Sequence, residues 1–440
     1  MLKRKAMQEL EYWKDHKTKQ ALLVSGARQV GKTFLVREFA RKHYGTLAEV
    51  NFLDDRDAVQ AIGSASNADE LFSRLSIFVN NPLVPGDTLI FLDEVQECKE
   101  IVTAIKFLVD KFPEYDYVLS GSLLGVELQN VRSVPVGYLD SITMYPLDFE
   151  EYCWAKNLGD GVIDSAKKAF FARRSIDEFV HKKLLSLFHE YLVIGGMPDA
   201  VAAYLAGGDV RAARRVQENI IARYREDISK YARGRERVIK RIFDLIPSEL
   251  SSQTKRFVVS SIEGDSHISR YENDFGWLAD AGVALPVYNV DEPRPPLLIA
   301  MQHNLFKLFL SDVGLLSCMC GMDMTREMLA GRTDVLFGAM YENVVAQELA
   351  AHGFRLYYFK NKTMGELDFL VERSPVNVVP LEVKSGKSYK RHSALNKAMS
   401  TENYHFDKAL VLCEGNVEAE GRVVYAPIYC VAFLSRESGR

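Results

Sequence analysis

The chain has 440 residues, of which 48% are hydrophobic and 26% are charged, and it contains only 14 prolines. At roughly 150 residues per domain this length allows about three domains, and the composition excludes a disordered, collagen-like or small disulfide-bonded protein. The 55 lysines and arginines against 59 acidic residues give a net charge of −4, so a nucleic-acid partner would have to meet a local basic surface.

The N-terminal segment and the cysteines predict a cytoplasmic protein. Residues 1–5 have the basic start of a signal peptide, but no apolar core follows them. No uncharged apolar run approaches the roughly 18 residues that a membrane span needs, so we expect no membrane partner. The six cysteines are scattered without CxxC pairs, which predicts reduced core thiols and neither a zinc site nor a disulfide framework.

Residues 20–147 alternate short apolar runs with amphipathic helical stretches. The apolar runs lack the alternation of a half-exposed strand, which is typical of strands buried on both faces. They lie at residues 21–24, 50–53, 88–92, 117–119 and 142–144. We therefore expect an α/β domain with a mostly parallel sheet over residues 1–150.

Helical patterns predominate beyond residue 150. Residues 151–234 indicate successive helices and predict a helical lid region. Residues 235–333 indicate helices that lead into a short hairpin, which is typical of a winged-helix module. From residue 334 to residue 440 a helix and several extended runs predict a second α/β domain.

A phosphate-binding motif follows the first predicted strand directly. Gly26-Ala27-Arg28-Gln29-Val30-Gly31-Lys32-Thr33 matches GxxxxGK[ST] at every defined position and precedes an amphipathic helix. The glycines let backbone N–H groups surround the phosphates, Lys32 is expected to reach the β- and γ-phosphates, and Thr33 is expected to bind Mg²⁺ through its hydroxyl. The motif predicts ATP and Mg²⁺ as cofactors.

Two adjacent carboxylates end the third apolar run. We expect Asp93 to hold the metal ion and Glu94 to polarise the attacking water as a general base. The next strand ends at Ser120-Gly121-Ser122, where either serine hydroxyl could sense the γ-phosphate or simply form a turn. Together with the phosphate-binding motif, these carboxylates predict nucleotide hydrolysis and not binding alone.

Two strand-like segments near the C-terminus, residues 365–371 and 379–384, are joined by a turn that contains Pro375. With a period of two, the charged side chains of each segment share one face. If the hairpin pairs in register, four charged groups converge there: Glu366, Asp368, Glu382 and Lys384.

This convergence predicts a second metal site. A divalent cation bound by Asp368 and Glu382 would neutralise the carboxylates, and Lys384 would orient or deprotonate the attacking water. Glu342, on the preceding helix, is a further candidate ligand. The chemistry would be metal-assisted phosphodiester hydrolysis, and a solvated hairpin with alternating charges is the alternative.

Residues 211–241 form a basic stretch. Eleven lysines and arginines against four acidic residues give a local charge of +7, with Tyr224 and Tyr231 interleaved. A DNA duplex or another subunit of a homo-oligomer would suit this charge, and a solvated helix face is the alternative.

The whole pattern resembles the AAA+ branch of P-loop ATPases, and one group of prokaryotic AAA+ ATPases in particular. The segments that carry the resemblance cover nearly the entire chain: residues 26–33, Leu92-Asp93-Glu94-Val95-Gln96, Ser120-Gly121-Ser122, Pro135-Val136-Gly137, residues 145–151, Gly195-Gly196-Met197-Pro198, residues 310–316 and Tyr341-Glu342-Asn343. The resemblance implies an AAA+ module, a helical and winged-helix region, and a C-terminal domain similar to PD-(D/E)xK nucleases.

Within that resemblance Glu342 would be the helix acid of the nuclease fold. The segment Leu367-Asp368 lacks the proline that gives the nuclease motif its name. An arginine finger is not identified, since four residues are conceivable: Arg132, Arg173, Arg174 and Arg233.

Two functions therefore compete. In the first, a DNA-directed ATPase uses its nucleotide cycle to position a C-terminal nuclease-like domain. In the second, a nucleotide-switched interaction protein carries a nuclease-like fold that binds without cutting. The C-terminal carboxylates favour the first function, whereas the net negative charge and the missing arginine finger leave room for the second.

Overall fold

The structure is a computed structural model that describes residues 2–79, 81–122, 137–252, 254–264, 268–321, 335–374 and 376–436. Arg132, Pro135, Val136 and Pro375 lie outside these described residues. The chain divides into two compact units: Lys3–Tyr145 with Asp280–Gly282, and Met1–Leu2 with Pro146–Ala279 and Val283–Arg440. All six cysteines are free thiols, and no helix among the described residues is long and apolar enough to cross a membrane.

The unit formed by Lys3–Tyr145 is a five-stranded parallel sheet with helices between its strands. In chain order its elements are α1 (Ala6–His16), β1 (Ala21–Gly26), α2 (Lys32–His43), β2 (Thr46–Asn51), α3 (Arg56–Gly63), α4 (Ala68–Phe78), β3 (Thr88–Asp93), α5 (Lys99–Lys111), β4 (Asp116–Ser120) and β5 (Leu139–Met144). The strand order is β2-β3-β4-β1-β5, and every pairing is parallel. The expected α/β fold with a parallel sheet is confirmed.

Burial explains the apolar runs of this sheet. β3 is buried at all of its positions, and the side chains of Ile90 and Leu92 share one core with those of α3, α4 and α5. A strand covered on both faces has no reason to alternate polar and apolar residues. The parallel arrangement also brings the carboxyl ends of β1, β3 and β4 to one edge of the sheet, where α/β proteins bind their ligands.

The other unit begins with helices and ends with a mixed sheet. Its helices before the sheet are α6 (Phe149–Ala155), α7 (Asp160–Phe171), α8 (Glu178–Ile194), α9 (Pro198–Gly207), α10 (Val210–Tyr231), α11 (Glu236–Ser251), α12 (Ser260–Glu263) and α13 (Glu272–Asp280). The later elements are β6 (Ala284–Val290), β7 (Met301–Leu310), α14 (Val313–Cys320), α15 (Val335–Ala351), β8 (Tyr357–Asn361), β9 (Gly365–Ser374), β10 (Asn377–Val383), α16 (Ser393–Ser400), β11 (Ala409–Cys413), β12 (Glu418–Glu420) and β13 (Val423–Pro427).

The hairpin expected from a winged-helix module lies within this mixed sheet. The strand order is β12-β13-β11-β10-β9-β8-β6-β7, so the antiparallel pair β6–β7 forms one end of the sheet. β6 pairs in parallel with β8, which follows about 70 residues later in the chain. The hairpin and the C-terminal strands therefore share one sheet, while the division of the chain into four domains stays a prediction.

Three segments of the sequence resemblance meet in this unit. A Cβ on Gly196 would lie 2.0 Å from the carbonyl oxygen of Leu147, so only glycine fits there. The backbone N–H of Gly196 donates to the Asp312 carboxylate at 2.6 Å, and that of Leu315 donates to it at 2.9 Å. Burial raises the pKa of Asp312 to about 6, and these backbone hydrogen bonds oppose the rise. The Asp312 side chain thus ties the start of α14 to the glycine turn.

Candidate nucleotide site and C-terminal charge cluster

The phosphate-binding motif forms the turn between β1 and α2. A Cβ on Gly26 would lie 2.2 Å from the carbonyl oxygen of Met144 on the neighbouring strand β5, which explains the glycine at this position. Gly31 is the N-cap of α2, so the first residues of that helix are Lys32 and Thr33. The first backbone N–H groups of α2 and the positive end of its helix dipole therefore lie at the loop, an arrangement that favours a bound anion.

Lys32 is held inside this loop. Its side chain is 6% exposed, and Nζ donates hydrogen bonds to the carbonyl oxygens of Gly26 at 3.0 Å and Ala27 at 2.9 Å. Burial lowers the pKa of Lys32 to about 8, although the carboxylates of Glu94 and Asp93 oppose that shift. The ammonium has only neutral acceptors, so phosphate oxygens would bind it more strongly than the loop does.

Asp93 sits at the centre of a hydrogen-bond network. Its carboxylate accepts bonds from Thr33 Oγ1 at 2.8 Å, Asn51 Nδ2 at 3.4 Å and the Ser120 hydroxyl. Burial raises the pKa of Asp93, and the bonds from Ser120 and Thr33 oppose the rise. The structure thus joins the two side chains expected to hold Mg²⁺, and a hydroxyl beside a carboxylate is an oxygen ligand set that fits this ion.

Glu94 is oriented by two polar neighbours. Gln96 Nε2 donates to Glu94 Oε2 at 2.5 Å, and the Ser122 hydroxyl donates to the same oxygen at 3.3 Å. Ser120 and Ser122 therefore each contact a carboxylate, and their role as phosphate sensors stays a prediction. Sequence reasoning missed Gln96 as a positioning residue, although a polar side chain just after the two carboxylates was a signal for it.

The basic stretch lies on α10, α11 and the turn between them. Its exposed cations form what we term the basic surface: Arg211, Arg215, Arg223, Arg225, Lys230, Arg233, Arg237 and Arg241. Two other cations are engaged within the fold, since Arg214 donates to the backbone of α14 and Arg235 pairs with Asp274 at 2.5 Å. Among the conceivable arginine fingers, Arg173 and Arg174 are also exposed.

The C-terminal hairpin pairs as the alternating pattern indicated. β9 and β10 are antiparallel with Phe369 opposite Leu381, which places Asp368 beside Glu382. Lys384 Nζ donates to Glu382 at 2.8 Å, and the Asp368 side chain contacts Glu382. Burial and mutual repulsion raise the pKa of Asp368, and burial raises that of Glu382. The structure therefore brings Asp368, Glu382 and Lys384 together.

Glu342 has partners that sequence reasoning missed. Its two carboxylate oxygens accept hydrogen bonds from Lys255 and, at 3.1 Å, from Lys307. Lys307 also pairs with Glu366 at 2.7 Å, and Lys360 pairs with the other oxygen of Glu366 at 2.5 Å. A carboxylate–lysine cluster results, in which four acids meet four cations: Glu342, Glu366, Asp368 and Glu382 with Lys255, Lys307, Lys360 and Lys384.

This cluster does not present a three-carboxylate metal site. Both oxygens of Glu342 are bound to lysines, which leaves only the Asp368–Glu382 pair. Within the described ranges, one group of three potential ligands has its ligand atoms within 4.8 Å of one another: Asp148, Glu348 and His352. Two of them cap the start of α6, because the backbone N–H of Phe149 donates to Glu348 at 2.9 Å and that of Glu151 donates to Asp148 at 2.8 Å, while His352 contacts Asp148 at 3.1 Å.

Three family models match successive parts of the chain. An AAA domain covers residues 18–153, a domain of unknown function (DUF8612) covers residues 185–326, and another (DUF4143) covers residues 337–431. No curated protein matches the chain. The first match spans the phosphate-binding motif and both carboxylates, so the chain contains an AAA-type P-loop ATPase domain.

Three of the solved structures that are similar to this chain come from Pyrococcus abyssi, Pyrobaculum aerophilum and Drosophila. The Walker-type ATPase PABY2304 of Pyrococcus abyssi is 15% identical, covers 73% of this chain and 96% of its own, and has a TM-score of 0.45. Cdc6p of Pyrobaculum aerophilum is 12% identical over 73% of this chain and 93% of its own, with a TM-score of 0.24. Drosophila ORC bound to DNA is 13% identical over 76% of this chain and 96% of its own, with a TM-score of 0.28.

The lowered pKa of Lys32 predicts pH-dependent ATP binding. Only the ammonium form attracts phosphate, and a pKa of about 8 means that raising the pH from 7 to 9 should weaken ATP binding about tenfold. Titration with a fluorescent ATP analogue at several pH values measures this change. Lys32→Arg is the control, because its guanidinium stays charged and its profile should be flat. Equal pH profiles for the two proteins would contradict the prediction.

Proposed function

We propose that the protein binds Mg²⁺-ATP at the β1–α2 loop and hydrolyses it. The observation that carries this proposal is the pair of contacts at one edge of the parallel sheet. Thr33 and Asp93 are joined at 2.8 Å, and the neighbouring Glu94 is held by Gln96. Thr33 and Asp93 supply oxygen ligands for Mg²⁺, and Glu94 supplies a carboxylate that can accept a proton.

Lys32 and Thr33 would do the binding. The Lys32 ammonium would exchange the carbonyl oxygens of Gly26 and Ala27 for phosphate oxygens, while the loop N–H groups bind the remaining oxygens. Thr33 and Asp93 would hold Mg²⁺, which when bound neutralises charge on the β- and γ-phosphates. Because Asn51 and Ser120 also contact Asp93, that carboxylate is fixed in place before the ion arrives.

Glu94 would act as the general base. Its carboxylate would accept a proton from the water that attacks the γ-phosphate. The hydrogen bonds from Gln96 and Ser122 end on one carboxylate oxygen, Oε2, so the side chain is oriented while Oε1 can receive the proton.

Two substitutions separate binding from hydrolysis. Glu94→Gln should keep ATP binding but slow turnover on the order of 100-fold or more, because an amide cannot accept the proton. Lys32→Ala should abolish tight ATP binding, because it removes the mobile cation of the loop. Phosphate release and nucleotide titration measure the two effects. Glu100→Gln, the same chemical change at an exposed position of α5, should leave both unchanged. Wild-type turnover in Glu94→Gln would disprove the assignment of the base.

We further propose DNA as the macromolecular partner, bound through the basic surface. Four of these cations lie on one side of α10. At roughly 100° per residue, their positions span an arc of about 120° around the helix axis: Arg211, Arg215, Arg223 and Lys230. Arg225 pairs with Asp244 at 2.7 Å and is less suited to a phosphate. Exposed cations along one side of a helix can contact several phosphates of a DNA backbone together.

Charge reversal tests this partner. Arg215→Glu with Arg223→Glu should weaken DNA binding at every sequence and reduce the salt dependence, the slope of log K against log salt, by roughly 2. Fluorescence anisotropy with a labelled duplex at several salt concentrations gives both quantities. Lys167→Glu with Lys168→Glu on α7 changes the net charge equally and is the control. If both double variants retain the wild-type slope, the basic surface is not the DNA site.

For the C-terminal region we propose that it acts in binding and does not cleave DNA strands. The adjacency of Asp368, Glu382 and Lys384 favours a nuclease, whereas the pairing of Glu342 with two lysines removes one expected metal ligand. Four cations already balance the four carboxylates of the carboxylate–lysine cluster, so its folded state needs no metal ion to neutralise it.

The absence of cleavage is directly testable. We expect no cleavage of linear, branched or supercoiled DNA by the wild-type protein with Mg²⁺ or Mn²⁺, with or without ATP. Gel electrophoresis of the products, at protein concentrations that saturate DNA binding, measures this. Metal-dependent cleavage that disappears in both Asp368→Ala and Glu382→Ala would establish the nuclease candidate instead.

A further inference from the structure

Lys307 is an unusual lysine. It lies in β7 between Phe306 and Leu308, both buried, and its own side chain is 0% exposed. Its Nζ donates to Glu342 at 3.1 Å, pairs with Glu366 at 2.7 Å and lies 5.2 Å from the centre of the Tyr358 ring. Burying an ammonium in an apolar strand costs free energy unless carboxylates surround it. The carboxylates around Lys307 therefore form an environment that stabilises a cation at this position.

The three other lysines of the cluster lie nearer the solvent. The side chains of Lys255, Lys360 and Lys384 are 21%, 38% and 29% exposed. Burial lowers the pKa of Lys307, but Glu342, Glu366 and Asp368 more than offset this effect and raise the pKa overall. Lys307 therefore stays charged at every physiological pH and contacts carboxylates of both α15 and β9 from the interior.

We infer that the Lys307 ammonium takes the place of a divalent cation in the carboxylate–lysine cluster and excludes metal ions from it. A site for a hard cation needs converging carboxylate oxygens with an excess of negative charge. Lys307 occupies one oxygen each of Glu342 and Glu366. Together with the three other lysines of the cluster, it leaves no excess of negative charge for a metal ion. This inference rests on the proposal that the C-terminal region does not cleave DNA, and it names the residue responsible.

Removing the ammonium should create the missing site. Lys307→Met keeps an unbranched side chain of similar length but leaves one uncompensated negative charge among Glu342, Glu366 and Asp368. A metal ion would then be the natural replacement for the lost cation. We expect Mn²⁺ to bind Lys307→Met with one additional site, at least about tenfold more tightly than it binds the wild-type protein.

Mn²⁺ binding to the full-length, nucleotide-free protein tests the inference, measured by electron paramagnetic resonance of the free ion. The baseline is the double variant Asp368→Asn with Glu382→Gln. It lacks two carboxylates of the cluster, so its Mn²⁺ binding measures any ion held near Thr33 and Asp93. Wild type and this baseline variant should bind equally. The matched control is Lys390→Met, because Lys390 also pairs with two carboxylates, Glu418 at 2.9 Å and Glu420 at 2.5 Å, but on the surface. It should bind no more Mn²⁺ than the wild type.

Two results would overturn the inference. One is a wild-type Mn²⁺ site that the baseline variant loses, a comparison that stands even if Lys307→Met fails to fold. The other is a folded Lys307→Met, shown by an unchanged circular dichroism spectrum, that gains no Mn²⁺. The first result without DNA cleavage would refute the role of Lys307 while leaving the non-cleaving function intact, so the two proposals fail separately.

Discussion

Buried charge has to be compensated, and this constraint organises both polar regions of the molecule. At the sheet edge of the first unit, the buried Asp93 carboxylate is stabilised by hydroxyl and amide donors, and the buried Lys32 ammonium by backbone carbonyl oxygens. These partners are neutral, so both charges retain an attraction for ions of opposite sign. In the C-terminal sheet the partners of buried acids are lysines, so the charges cancel. The same constraint therefore gives one region whose charges would attract a phosphate and a metal ion, and a second region whose charges already neutralise one another.

The parallel sheet turns residues distant in the chain into neighbours. Thr33 at the start of α2, Asp93 at the end of β3 and Ser120 at the end of β4 are linked through a single carboxylate. Such a network has few alternative arrangements, because each member is fixed by a strand end or a helix start. If a nucleotide binds at this edge as proposed, a change at its phosphates would alter the contacts of Asp93. Because Asp93 also contacts Ser120, the change would extend to the end of β4.

Sequence reasoning was most reliable where the chemistry is contiguous. The phosphate-binding motif, the strand that ends in two carboxylates and the pairing of β9 with β10 each depend on residues close in sequence, and each could be located from spacing alone. The parallel sheet followed from apolar runs without alternation, because burial on both faces leaves that signature.

Contacts between distant segments were not accessible in the same way. The joining of β6 to β8 depends on strand pairing that no local pattern encodes, so the sequence alone could not predict it. Lys307 and Lys255 meet Glu342 across 35 and 87 positions of the chain, and neither pairing has a sequence motif. One signal did exist: a single lysine inside the apolar run Phe306-Lys307-Leu308-Phe309 is too costly to bury without an acid, which pointed to a buried ion pair.

The nucleotide site is central to this account, and a crystal structure with Mg²⁺ and a non-hydrolysable ATP analogue tests it most directly. We expect the Lys32 ammonium to leave the carbonyl oxygens of Gly26 and Ala27 and to bind the β- and γ-phosphates. Mg²⁺ should lie beside Thr33 and Asp93, with a water molecule between Glu94 and the γ-phosphate. A nucleotide bound elsewhere, or one bound here while Lys32 keeps its contacts with the loop, would contradict the account.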